Sequence, residues 1–243
     1  MFLIKDFKGF TLFEKIFFGL YFLAQIGIII YFYEPGKKID WINIISSITM
    51  ILSLIMSAKG RLSTFVYGLI AIPLYAWISY KNGLYGEVGL QFVFITFQFI
   101  GFYVWMSNRH SNHLTDDPEV KDVDTKGLER NQWLITIATT IVAYIIISSS
   151  LVLLHAKQPF VDSINVCLNL VGQTLMTLRF KEQWFFWIAV NIVSIILWIR
   201  SMYIGDGKLD PTGISMAVMW FAALINCGIG YYNWKKLQIH TQS

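Results

Sequence analysis

Gly101-Phe102-Tyr103-Val104-Trp105 and Gly230-Tyr231-Tyr232-Asn233-Trp234 end two apolar stretches in opposite halves of the chain. Two further matches accompany them. Asp40-Trp41-Ile42-Asn43 opens one apolar stretch as Asp162-Ser163-Ile164-Asn165 opens another. A basic turn follows in each half, Lys59-Gly60-Arg61 in the first and Arg179-Phe180-Lys181-Glu182 in the second. Spacing, order and residue type agree, so the chain reads as an internal repeat about the polar segment Asn108–Asn131.

Composition says where such a repeat lives. Of 243 residues, 56% are hydrophobic and only 14% charged, and the mean hydropathy is +0.56. Soluble domains average about 25% charged residues, so this is an integral membrane protein. Eight apolar spans approach the length needed to cross a bilayer core of about 30 Å. They are Ile16–Tyr33, Trp41–Ser57, Leu62–Tyr80, Val88–Ser107, Gln132–Leu154, Ser163–Leu178, Trp184–Ile204 and Thr212–Trp234, and none contains Asp, Glu or Lys. Met1–Lys15 carries Lys5, Lys8 and Lys15 ahead of a span too long for a signal-peptide core, no small-residue cleavage site follows that span, and the first helix is expected to stay. Cys167 and Cys227 fall mid-span and read as small buried hydrophobes, not as a disulfide.

Most of the 19 Lys and Arg residues, including Lys5, Lys8, Lys15, Lys59, Arg61, Arg179 and Lys181, fall at the N-terminus, the even-numbered loops and the C-terminus. The positive-inside rule places that side, with both termini, in the cytoplasm. Topology therefore accounts for the net charge of +4 without a nucleic-acid partner.

The matches pair spans two to four with spans six to eight. Span five is left as a linker that lets both triplets insert with the same orientation, and span one is an addition. The expected fold is all-α: two parallel three-helix bundles joined by a linker helix, a 3+1+3 plan, with one extra N-terminal helix. The boundaries are 1–40 for the extra helix, 41–107 for the first bundle and 108–158 for the loop and linker. The second bundle covers 159–236 and the C-terminal tail 237–243. Parallel repeats of this kind bind substrate at their interface near the midplane.

One stretch breaks the symmetry. In Trp184-Phe185-Phe186-Trp187-Ile188-Ala189-Val190-Asn191, positions 184, 187 and 191 share one helical face. Lipid cannot bond an asparagine amide, so Asn191 should point into protein or a water-filled cavity. Sliding the second half onto the first puts Ser63, Val66 and Ile70 opposite these three, so the aromatic–amide set belongs to one half only. Trp187 and Asn191 lie deeper than Trp184. Trp41, Trp105 and Trp234, at span ends, read as an interfacial aromatic belt. Other intramembrane amides could join the site: Gln91 and Gln98 on one face of the fourth span, Asn165, Asn169 and Gln173 as a stripe on the sixth, Asn43 in the second and Asn226 in the eighth. Interhelical hydrogen bonding accounts for Asn43, Asn165 and Asn226 equally well.

Catalysis finds no support. No histidine falls within a span to activate Ser215 of Gly213-Ile214-Ser215. His110 and His113 with Asp116 and Asp117 read as a solvated loop, not a metal site. No cofactor or metal is expected. With no acidic residue in the spans, facilitated diffusion is favoured over ion coupling. A membrane receptor subunit would also explain a polar cavity, but it would not need the repeat.

Trp184-x-x-Trp187-x-x-x-Asn191, the Gly-x-Tyr-x-Trp ends, the 3+1+3 order and Gly83-Leu84-Tyr85-Gly86-Glu87 leading to Gln91 and Gln98 together resemble the PnuC family of bacterial nicotinamide riboside transporters. The resemblance runs from about Trp41 to Trp234. It implies a fold like that of the SWEET sugar transporters and a homotrimer in the inner membrane. It also implies facilitated diffusion of nicotinamide riboside, trapped inside by phosphorylation. Trp184, Trp187 and Asn191 are carried over as substrate contacts, and Gln98 joins them from the other bundle. Related members carry other B vitamins such as thiamine or riboflavin, which leaves the ring open.

Overall fold

The computed structural model describes residues 2–32, 40–111, 121–153, 159–202 and 211–242. His113, Asp116 and Asp117 of the polar loop lie outside them, as do Lys37, Lys38 and His155. A short helix α1 (Phe2–Lys5) leads into α2 (Leu12–Tyr31), α3 (Trp41–Ala58), α4 (Ser63–Lys81) and α5 (Tyr85–Met106). A two-stranded antiparallel ribbon follows, β1 (Arg109–Ser111) with β2 (Lys121–Val123). Then come α6 (Arg130–Leu153), α7 (Pro159–Thr177), α8 (Gln183–Met202) and α9 (Pro211–Gln242). Among the described residues, seven helices are long and apolar enough to cross a membrane. The remaining expected span, α7, has 19 residues, but Asn165, Asn169 and Gln173 make it too polar to qualify by composition.

Six helices close a ring. α3 packs on α4, α4 on α5, α5 on α7, α7 on α8, α8 on α9, and α9 returns to α3. Outside it, α2 leans on α9 and α6 on α7. The start of α2 is fixed by a capping box, in which Thr11 N–H donates to Glu14 Oε2 at 2.7 Å and Glu14 N–H donates to Thr11 Oγ1 at 3.2 Å. Its outer half is held by a polar knot in the α3–α9 seam. There Tyr21 donates to the Ser47 carbonyl at 3.0 Å, and Ser215 Oγ donates to Gln25 Oε1 at 2.7 Å. With no water to bond them, such groups favour a single docking position for α2.

The repeat is visible in backbone hydrogen bonds, with a register different from the one read in the sequence. Gly60 N–H donates to Ser57 and Arg61 N–H to Met56; likewise Arg179 N–H donates to Met176 and Phe180 N–H to Leu175. Both turns hinge on a left-handed residue, Gly60 at φ 68° and Arg179 at φ 69°. Gly60 thus corresponds to Arg179, and the counterparts of Trp184, Trp187 and Asn191 are Phe65, Gly68 and Ile72. The expected Ser63, Val66 and Ile70 are two residues out of register, because the turns align on their left-handed residues, Gly60 and Arg179, and not on their basic side chains.

Trp105 and Trp234 are not an interfacial belt. They are 1% and 0% exposed, and each caps a helix of the other half. Trp105 Nε1 donates to the Met176 carbonyl at 3.1 Å and Trp234 Nε1 to the Ser57 carbonyl at 2.8 Å. Their ring centroids lie 5.5 Å apart, on the pseudo-twofold relation between the halves. Trp41, by contrast, is exposed.

The same end carries a buried ion network. Lys59 Nζ lies 2.8 Å from Glu14 Oε1, and Arg61 Nε donates to Asp122 Oδ1 at 2.9 Å. Arg61 Nη1 also bonds the carbonyls of Asp6 and Lys8. Burial pushes the Lys59 ammonium below its usual value, and its pairing with Glu14 offsets part of that. Burial likewise raises the Asp122 carboxyl, with Arg61 opposing. These basic residues are internal ties and not solvated loop charges. Arg61→Ala would leave Asp122 without its cation and should cost about 3–5 kcal/mol. The exposed Lys81, stacked over Trp77, should lose less than about 0.5 kcal/mol on replacement by Ala. Fluorescence-monitored unfolding in detergent compares the two.

Candidate functional site

The ring of helices encloses a cavity of about 90 Å³. From α8 it is lined by Trp184, Trp187 and Asn191; from α5 by Glu87, Gln91, Phe94 and Gln98; from α7 by Asn169 and Gln173; and from α9 by Trp220, Asn226 and Cys227. The aromatic–amide face thus meets two polar stripes from neighbouring helices.

Helical spacing produces each stripe. Glu87, Gln91, Phe94 and Gln98 recur at i, i+4, i+7 and i+11 on α5, and Asn165, Asn169 and Gln173 at i, i+4 and i+8 on α7. Since α5 packs on α7, the stripes form a ladder along their seam. Its first rung is Asn165 Nδ2 donating to Glu87 Oε1 at 3.1 Å. Asn165 also accepts from Asn169 Nδ2 at 3.2 Å.

Glycines seat the large groups. A Cβ on Gly68 would lie 2.5 Å from Gln98 Oε1, so Gln98 reaches the cavity over a bare patch of α4. A Cβ on Gly230 would lie 2.4 Å from Trp184 Cζ2. Trp184 therefore presses on α9 and meets Trp234 edge-on at 5.9 Å. It is almost wholly buried, half wall and half site. Trp187 is more open and faces Phe94 across the cavity, ring centroids 6.5 Å apart, while its Nε1 donates to Gln183 Oε1 at 3.1 Å. Asn191 Nδ2 donates to Cys227 Sγ at 3.0 Å.

Several buried polar atoms of lining residues have no hydrogen-bond partner among the described residues. Gln91 Oε1, Gln98 Oε1 and Asn226 Oδ1 are free acceptors; Gln173 Nε2 and Trp184 Nε1 are free donors. Unpaired groups in an apolar interior are costly, each by about 1–3 kcal/mol, unless something else occupies the space beside them. A ligand bearing both donors and acceptors would satisfy them. No Lys, Arg or His occurs among the described lining residues.

Of the residues singled out in the sequence, Trp184, Trp187, Asn191, Gln98, Gln91, Asn169 and Asn226 line this cavity, and Asn43 and Asn165 do not. Asn43 lies in the first turn of α3, where its backbone N–H is capped by Asp40 Oδ1 at 3.1 Å. Asn165 stands behind Glu87. Asn226 serves both ends, its Nδ2 donating to the Leu54 carbonyl at 2.8 Å. The expectation of acid-free spans fails at Glu87. Helix α5 begins at Tyr85, three positions before the expected Val88, and so carries a buried carboxylate into the cavity wall. Glu14 likewise falls inside α2. Gln173, part of the α7 stripe seen in the sequence, lines the cavity too; Phe94 is readable as a member of the α5 stripe, whereas Tyr75 and Trp220, single aromatics on α4 and α9, are not.

Residues 40–236 match the family described as Nicotinamide mononucleotide transporter. The chain belongs to this family. Its relatives agree. The Nicotinamide riboside transporter PnuC of Neisseria mucosa is 34% identical over 232 residues, covering 95% of this chain and 84% of that one. That of Haemophilus influenzae is 30% identical over 231 residues, covering 95% and 92%. The crystal structure of the vitamin B3 transporter PnuC superposes with a TM-score of 0.84 at 31% identity, over 96% of this chain and 95% of that chain. This is a PnuC-family membrane protein, all-α and multi-pass.

The glycine seat gives a direct test within one helix. Gly230→Ala should destabilise the protein by about 1–3 kcal/mol through overpacking against Trp184. Gly228→Ala, where a Cβ meets nothing within 4 Å, should be neutral or slightly stabilising. Thermal unfolding in detergent, with near-ultraviolet circular dichroism reporting the tryptophans, reads both.

Proposed function

We propose that this chain carries nicotinamide riboside across the bacterial inner membrane by facilitated diffusion, its termini in the cytoplasm, with phosphorylation inside the cell trapping the substrate. The observation that carries the reading is the cavity itself. Tryptophan and phenylalanine faces stand beside unpartnered amide donors and acceptors, in a wall without cations. A pyridine ring would pack against Trp187 and Phe94, each stacked face contributing about 1–3 kcal/mol. Its positive charge gains cation–π attraction there. Carboxamide and ribose hydroxyls would pair with Gln98, Gln91, Gln173, Asn169, Asn191 and Asn226.

The family description names the mononucleotide, whereas the named relatives are riboside transporters. A cation-free wall favours the riboside, because a phosphate entering it would lose its hydration without compensation. Facilitated diffusion also fits. Proton and ion paths in membranes are built from several Asp, Glu or His residues, and the described cavity wall has Glu87 alone. In this reading α3–α5 and α7–α9 are the two three-helix units, α6 is their linker, and rocking of one unit against the other exposes the site to each side in turn. The resemblance adds a homotrimer, to be read from the mass of the detergent-solubilised protein.

Counterflow into liposomes containing only this chain tests the proposal. Nicotinamide riboside should exchange with ionophores present, while the mononucleotide, thiamine and riboflavin should not compete. Trp187→Ala or Asn191→Ala should weaken binding about ten- to hundredfold. Uptake that stops when ion gradients collapse would exclude a facilitator. Equal transport of the mononucleotide would exclude the phosphate argument.

A further inference from the structure

Glu87 is given no substrate contact in the proposal above, in which the described cavity wall is neutral apart from this residue. Its side chain is buried at 9% exposure and lines the cavity. One carboxylate oxygen accepts from Asn165 at 3.1 Å, and among the described residues it has no ion pair. It lies two helical turns, about 10 Å, from Phe94 along α5, at the end of the cavity remote from Trp105 and Trp234. Nearby, Trp198 Nε1 donates to the hydroxyl of Tyr75, another lining residue, at 3.1 Å. At this end of the cavity two hydrogen bonds join the helices, Glu87–Asn165 between α5 and α7 and Tyr75–Trp198 between α4 and α8.

A buried carboxyl is expensive to keep charged without a cation, so a positive ligand in the cavity is what would stabilise its ionised form. Its position in the first turn of α5 lets the helix N-terminus stabilise it, which accounts for its presence but not for its facing the cavity. Charges act over about 10 Å in such a wall far more strongly than in water. We propose that Glu87 is the charge-selecting residue of this site, favouring a singly positive heterocycle over a neutral one of the same shape. The inference builds on the nicotinamide riboside reading, because the N-glycosidic pyridinium of that substrate carries one positive charge and its dihydropyridine form carries none. The negative field adds to the attraction of the tryptophan faces for the cation and opposes a phosphate, so one group sets selectivity against both neutral and anionic relatives.

Binding of nicotinamide riboside and of its neutral dihydro form, measured by calorimetry on the full chain in detergent, tests this. The unmodified protein should prefer the cation about tenfold or more. Glu87→Gln should weaken cation binding about tenfold and leave the dihydro form within about twofold, collapsing the preference. Glu87→Asp should keep most of it. An equal loss for both ligands would assign Glu87 a structural role and overturn the proposal. So would an unmodified protein that binds the two alike, a result that needs no variant to fold. An unmodified protein that binds neither ligand would overturn the riboside reading and this inference with it; intact riboside binding with unaltered selectivity in Glu87→Gln would overturn the inference alone.

Discussion

The structure depends on one crossed pair of hydrogen bonds. Trp105, at the end of α5, donates to the last turn of α7, and Trp234, within α9, donates to the last turn of α3. Each half thereby adds a second, cross-half bond to a carbonyl at the other half's helix end that already accepts from its own turn, Ser57 from Gly60 N–H and Met176 from Arg179 N–H, using a second lone pair where no water reaches it. The two indoles touch, so neither half can slide without disturbing both caps. The loop segment reinforces the junction. Val123 N–H donates to Gly60 and Lys126 N–H to Arg179, so one strap engages both equivalent turns. The end of the molecule bearing Lys59, Arg61 and Arg179 is thus tied by bonds from both halves and the loop segment.

On that symmetric frame the site is asymmetric. Phe65 fits over Gly101, where an added Cβ would come within 2.4 Å of its ring, as Trp184 fits over Gly230. These two pairs are structural counterparts. Divergence begins one turn deeper, where Gly68 answers Trp187 and Ile72 answers Asn191. Across the ring, Gln98 corresponds to Cys227. A symmetric interface would need no such differences, whereas an unsymmetrical ligand with a ring at one end and hydroxyls at the other does. Gly68 shows how the two halves cooperate: without a Cβ there, Gln98 enters the space that Trp187 occupies in the other half.

Polarity inside the membrane is distributed by the same logic. The polar knot of Gln25, Ser47 and Ser215 is internally paired and fixes α2. The polar ladder of α5 and α7 is only partly paired, and its unpartnered atoms belong to residues lining the cavity. Helix α7 tolerates its amides because α5, α6 and α8 pack around it, leaving less of it to face lipid than α6, which is exposed along most of its length.

Membrane residence, the existence of the repeat and the special face of α8 were legible in the sequence, because hydropathy, length and helical period are local properties that the bilayer enforces on each span separately. The expected Trp184, Trp187, Asn191 and Gln98 do meet in one cavity, since their spacing fixes a shared face before any packing occurs. The repeat register was not legible; it is set by left-handed residues at Gly60 and Arg179, whose side chains have nothing in common. Trp105 and Trp234 looked like belt residues because span-end position is visible in sequence and burial by a distant helix is not. Glu87 was misjudged for a related reason: a charge near a span boundary falls in water or in protein according to where the helix starts and what packs against it. Sequence by itself determined what each helix must be, while tertiary structure alone decided which faces meet, because the crossed tryptophan caps and the closure of α9 on α3 join residues far apart in the chain.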